Sequence, residues 1–124
     1  EQEVESAEVR RSLREQLRNL RALMPRQQLM VEARTPSDRF KRARALKFLG
    51  VVGGDESYDL LIENLSSDDV YLRGVAALAL AEAGDARAIQ PLLRLMDDDS
   101  NARIVQIVRN SVQILQRRDN PLRD

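Results

Sequence analysis

The 124-residue chain has no cysteine, no histidine and no tryptophan. Without cysteine there are no disulfides and no thiolate metal sites. Without histidine the commonest transition-metal ligand and the usual general base near neutral pH are missing, together with every nucleophile that histidine would activate. Catalysis would have to run on carboxylates, Arg, Lys or Tyr, and neither a catalytic centre nor a cofactor or metal is expected. Aromatics amount to two Phe and two Tyr, so the core must be aliphatic. No apolar run reaches the roughly 18 residues of a membrane span, and no short apolar block follows basic residues as in a signal peptide. This segment is not expected to insert in a membrane, and the expected compartment is the cytoplasm. The chain begins at Glu1 without methionine, as expected of a processed chain or of part of a longer one.

What is present is repetition. Hydrophobic residues make up 43% and charged residues 32%, a balance that fits a folded, helix-rich chain rather than a disordered one. Residues 37–67 recur in apolar pattern 31 positions later as residues 68–98. Phe40 matches Tyr71, Arg42 matches Arg73, Ala45 matches Ala76, Leu46 matches Ala77 and Leu49 matches Leu80. Gly53 matches Gly84, Tyr58 matches Ile89, and Leu61 and Ile62 match Leu92 and Leu93. A fixed period between about 20 and 50 residues marks an array whose units bury their apolar faces only against neighbours.

Each unit reads as a helix pair. The first has a helix over residues 39–52, a turn at Gly53 and Gly54, and a second helix over 57–65. The second unit has a helix ending at Ala83, a turn at Gly84 and Asp85, and a helix over 87–96. Glycine after each first helix predicts a left-handed cap. Upstream, Val9, Leu13, Leu17, Leu20 and Met24 fall on one face of a helix. Pro25 suits the first turn of a new helix, which makes residues 1–36 an N-terminal capping pair ended by a loop and N-cap at residues 35–38. Downstream, Ile104, Val108, Val112 and Leu115 define a C-terminal capping helix within residues 101–118, ended by Asp119, Asn120 and Pro121, with residues 119–124 as a tail. The expected architecture is one all-α domain.

The segment from Asp69 through Arg73, Ala76, Leu80, Gly84, Asp85, Ala88, Ile89, Pro91, Leu92 and Leu93 resembles short bacterial HEAT repeats of the kind also found in phycobilin-lyase-type proteins. The likeness is strong over residues 68–100, looser over 37–67 and weak outside them. In the first unit Gly54 stands in place of the turn aspartate, and the last unit lacks the Gly-Asp turn. The resemblance implies a right-handed α-solenoid of antiparallel helix pairs, about three units plus caps. It specifies fold better than activity, because this architecture hosts scaffolds, adaptors, lyases and nucleic-acid binders.

Candidate sites follow. Asp38 with Arg42, and Asp69 with Arg73, sit four apart at a helix start, where Asp can cap free N–H groups and Arg can reach a carboxylate of the adjoining unit; the resemblance implies the same ladder. If second helices line a concave face, the 31-residue register stacks Gln28, Asp59 and Gln90 in one row and Glu32, Glu63 and Arg94 in the next, a docking surface for another protein or another domain of the same parent chain. Arg39, Lys41, Arg42, Arg44 and Lys47 form a basic cluster on one first helix. With Arg10, Arg11, Arg14, Arg18 and Arg21 it offers a phosphate-binding surface, although neutrality and few stacking aromatics weigh against nucleic acid. Asp97, Asp98 and Asp99 lack the spaced ligands of a calcium loop and read as capping. Net charge is +5 over residues 1–50, −8 over 51–100 and +3 over 101–124, which predicts weak end-to-end self-association. The reading is a non-enzymatic protein-interaction module, scaffold or adaptor, with a bilin-lyase accessory subunit or a nucleic-acid binder as alternatives.

Overall fold

The computed structural model describes the backbone of residues 2–35 and 38–119, and side chains over residues 7–16, 26–35 and 38–118. Six α-helices and a short 3₁₀ turn make up the described chain: α1 Gln2–Arg34, α2 Arg39–Val52, α3 Asp55–Asn64, α4 Val70–Ala83, the turn Ala86–Ala88, α5 Ile89–Asp98 and α6 Ala102–Asp119. Residues 36 and 37 of the loop expected over 35–38, and residues 120 and 121 of the expected stop, lie outside the described residues. None of the described helices is long and apolar enough to cross a membrane.

Helix boundaries follow the local chemistry. Asp38 Oδ1 accepts from the N–H groups of Phe40 and Lys41 at 3.0 and 3.3 Å, and Asp69 Oδ1 accepts from Tyr71 N–H at 2.9 Å. Each aspartate thereby satisfies donors that have no partner inside the helix. Asn101 caps α6 in the same way, through the N–H groups of Arg103 and Ile104. At the other end, Gly84 takes the left-handed conformation with φ 72° and ψ 22°. Gly53 departs from that expectation: its φ is 71° but its ψ is −166°, and Gly54 follows at φ 94°. Two glycines in succession let the chain leave α2 extended rather than in a left-handed turn.

One sequence expectation fails at the N-terminus. Pro25 does not open a new helix; α1 continues through it from Gln2 to Arg34 as a single 33-residue element. Pro25 removes one backbone donor and crowds the preceding turn, yet no Gly, Asn or Ser stands beside it to cap an end, and its neighbours Leu23, Met24, Arg26 and Gln27 all have high helix propensity. The predicted capping pair is therefore one long helix, whose last turns pack on α2. Over residues 7–16 every side chain is exposed, Val9 and Leu13 included.

The helices form two layers. In one, α2, α4 and α6 pack side by side; in the other, α1 lies against α2, α3 against α4 and α5 against α6. The core between them is aliphatic: Leu46, Leu49, Leu61, Leu80 and Leu92 are fully buried, with Val108 and Leu115 from α6. Burying a Leu side chain is worth about 1.5–3 kcal/mol. Small residues let α2 and α4 approach closely, and a Cβ at Gly50 would stand 2.6 Å from Ala79 O. This is an all-α solenoid of stacked helix pairs, with α2–α3 and α4–α5 as the complete units and α6 as the first helix of a third.

Candidate functional site

Helix α2 carries two apolar stripes. Ala45, Leu46 and Leu49 face the core, whereas Phe40, Phe48 and Val51 are 68%, 52% and 68% exposed. On α4, Leu72, Ala76 and Leu80 are buried while Tyr71 and Leu78 are 43% and 51% exposed, and α6 adds Ile114 at 40%. These exposed side chains lie on one face of the first-helix layer and line an open groove of about 770 Å³ between α2 and α4, which Ile114 and Arg118 of α6 also line. A second trough of about 570 Å³ runs between α4 and α6. Tyr71 and Leu78 form the ridge common to both.

The apolar match of Phe40 with Tyr71 thus does not mark two core positions. Their rings meet edge to face, with centroids 5.9 Å apart, at the surface. Arg39 lies over both, 5.4 and 5.3 Å from the centroids, and pairs with Asp69 at 3.6 Å. A guanidinium held over aromatic faces in this way fixes their orientation. The sequence signal for this surface is the second stripe itself: a helix apolar on two faces is either wrapped on both sides or presents one of them outward.

The five residues of the expected basic cluster separate. Arg42 is half-buried and donates from Nε to Ala33 O at 3.1 Å and from Nη2 to Asn64 Oδ1 at 3.4 Å, joining the end of α1 to the end of α3. Lys41 is exposed away from the groove, Arg39 is engaged as above, and only Arg44 and Lys47 line the groove. Neither Arg44 nor Lys47 forms an ion pair with a described residue. Arg118, on the same rim, donates from Nη1 to Ala81 O at 2.9 Å and Glu82 O at 3.1 Å, placing its charge at the C-terminus of α4, where the helix dipole favours it. Arg26 does likewise at the end of α2, with Nη2 3.1 Å from Gly53 O.

The residues of the expected rows are also distributed. Gln28 and Glu32 share a small depression with Leu29, Arg44 and Phe48, beside the first-helix groove rather than in line with α3. Glu63 borders a cleft with Arg34, Arg42 and Asn64. Asp59, Gln90 and Arg94 are exposed on α3 and α5, helices packed mainly on the first-helix layer rather than on each other. No strongly exposed large apolar side chain lies on α3 or α5.

A third grouping was not anticipated. At the turn ends of the second layer, Arg87 Nη2 reaches Asp85 Oδ2 at 2.6 Å and Asp55 Oδ1 at 2.8 Å, and the guanidinium sits 4.3 Å from the Tyr58 ring centroid. The hydrogen bonds from Arg87 hold the Asp85 carboxyl below the usual carboxylate range, and those to Asp85 and Asp55 raise the guanidinium further above its already high value. Burial, followed by the nearby Asp85 charge, raises the Tyr58 phenol. These are the marks of a clasp between successive units, since every charge in it has a partner. Among the described residues no cluster of three or more carboxylates is positioned to hold a metal ion, and Asp99 of the acidic run accepts from Asn101 N–H at 2.9 Å as a cap.

A family model described as HEAT repeats matches residues 27–115, from the last turns of α1 to one turn short of the end of α6. The match is to HEAT repeats in general and carries no bilin-lyase assignment. No curated protein matches the chain. With paired helices in a 31-residue register, two layers and an aliphatic core beneath that match, the chain belongs to the HEAT-repeat family.

Proposed function

We propose that the chain is a non-enzymatic protein-binding module that takes its partner on the first-helix groove between α2 and α4. HEAT repeats generally mediate protein–protein interaction, and the observation that selects this face is the contiguous exposure of Phe40, Phe48, Val51, Tyr71, Leu78 and Ile114. Large contiguous apolar patches are uncommon on proteins that bind nothing, and apolar anchors carry most of the affinity of an interface. The rows on the second helices offer polar contacts without such anchors. Gln28 and Glu32 extend the groove side, whereas Asp59, Glu63, Gln90 and Arg94 fit a secondary polar contact.

The test is affinity capture from nuclease-treated source lysate with two double variants. Phe48→Glu/Leu78→Glu is expected to lose the partner, and Glu63→Arg/Arg94→Glu to retain it. Loss from the second variant alone would transfer the binding face to α3 and α5.

A further inference from the structure

Resting on that reading, we infer that the occupant of the α2–α4 groove is an amphipathic helix of a partner protein, apolar on one face and acidic along its flanks. The described chain is helical throughout and offers no strand edge. An extended peptide laid on the apolar floor would bury backbone N–H and C=O groups without partners, whereas a helix satisfies its own. The floor has helical dimensions. From Phe40 to Val51 along α2 the rise is about 17 Å at 1.5 Å per residue. Phe40, Phe48 and Val51 lie along that length beside Tyr71 and Leu78 of α4. A helix seated between two neighbours at the usual interaxial distance would set its i, i+3 or i+4, and i+7 side chains among these anchors.

The rim sets the charge. Arg44 and Lys47 line the groove without an ion-pair partner among the described residues and Arg118 adds a third cation, against Glu82 in the groove and Glu32 in the depression beside Arg44, which leaves the rim net positive. Acidic flanks answer that imbalance and steer the approach. A second copy of this chain fits poorly. Its exposed helical stretch over residues 7–16 carries Arg10, Arg11 and Arg14 against Glu8 and Glu15, a small net charge of the same sign as the rim, and its acidic helices α3 and α5 lack exposed apolar anchors.

The experiment is a display selection from a randomised library of 16-residue helix-forming peptides, with enriched sequences resynthesised for titration. Enrichment of apolar residues at helical spacing with Glu or Asp on the flanks is expected. So is loss of binding to Phe48→Glu/Leu78→Glu, and affinity about tenfold weaker for Arg44→Glu/Lys47→Glu. Lys-flanked versions of the same peptides should recover binding to the charge-reversed variant. All four positions are exposed, so thermal melts of the variants should match the parent. Groove-dependent peptides that are neutral, basic or extended would overturn the acidic helix while leaving the groove reading intact. Peptides indifferent to Phe48→Glu/Leu78→Glu, or no enrichment, would overturn both. A dimer in sedimentation that Phe48→Glu dissociates would give the groove to a second copy and overturn the partner helix.

Discussion

Arg73 on α4 donates from Nε to Asp99 Oδ2 at 2.8 Å, with the two side chains 17% and 5% exposed. Its Nη1 also reaches Ser67 O at 2.8 Å, so one guanidinium ties the entrance of α4 to the linker before α6. The expected ladder of Arg and carboxylate is present here. It is altered one unit earlier, where Arg42 meets Ala33 O and Asn64 instead. The reason is where each second helix ends in the repeat register: both run ten residues, but α3 stops at Asn64, the match of Leu95, whereas α5 continues to Asp98 before its capping carboxylate. In the first unit an amide therefore stands where Arg42 reaches.

Burial alone would raise the Asp99 carboxyl, but the Asn101 N–H and the Arg73 guanidinium outweigh it and hold Asp99 below its ordinary value. A carboxyl depressed in the folded state stabilises the fold above the unfolded pKa of about 3.9, and that stability is lost as pH falls through the folded value. Asp99→Asn and Arg73→Ala should each cost roughly 1.5–3 kcal/mol near neutrality, as hydrogen bonds to charged groups do. Urea titrations at pH 7 and at about pH 2–3 are the check: the gap between wild type and Asp99→Asn should narrow in acid. A gap independent of pH would remove the ion pair as its cause.

Leu80 and Leu92 are fully buried, on the first and second helices of the same unit. Leu80→Ala and Leu92→Ala should each cost about 2–5 kcal/mol, the range for truncating a buried leucine into a cavity. Total stability for such a domain is of order 5–15 kcal/mol, so either change takes a large share, read as a shift of the denaturant midpoint by circular dichroism. Glu63→Ala, on the exposed face of α3, should leave that midpoint within about 0.5 kcal/mol of the parent.

Gly50 and Gly53 separate space from backbone geometry. A Cβ at Gly50 would meet Ala79 O at 2.6 Å and Ala79 Cα at 2.9 Å, backbone atoms that cannot swing aside. Gly50→Ala should therefore push α2 from α4 and cost about 1–3 kcal/mol by overpacking. At Gly53 nothing lies within 4 Å, but φ is +71° with ψ −166°, a region used almost only by glycine, so Gly53→Ala should cost about 1–3 kcal/mol through strain alone. Hydrogen exchange distinguishes them: Gly50→Ala should loosen amides along both helices, and Gly53→Ala only those at the α2–α3 turn.

The sequence by itself determined the repeat period, the all-α class, the aspartate caps at Asp38 and Asp69 and the glycine exits at Gly53 and Gly84. These are local properties, set by hydrogen bonds and backbone torsions within a few residues, and the apolar period follows from helix geometry. Leu46, Leu49, Leu80 and Leu92 stand among the repeated apolar positions, and the structure buries all four. Tertiary structure decided the rest. Pro25 stays inside α1 although an interior proline costs a helix about 3 kcal/mol, an outcome that local propensity does not dictate. Phe40 and Tyr71 sit outside because each first helix is flanked by its layer neighbours and covered on one side only, which a one-dimensional pattern of apolar residues does not encode. Arg42 turns inward while Arg44 and Lys47 remain on the groove rim for the same reason: charge along a sequence fixes sign, and only packing fixes which charges find partners.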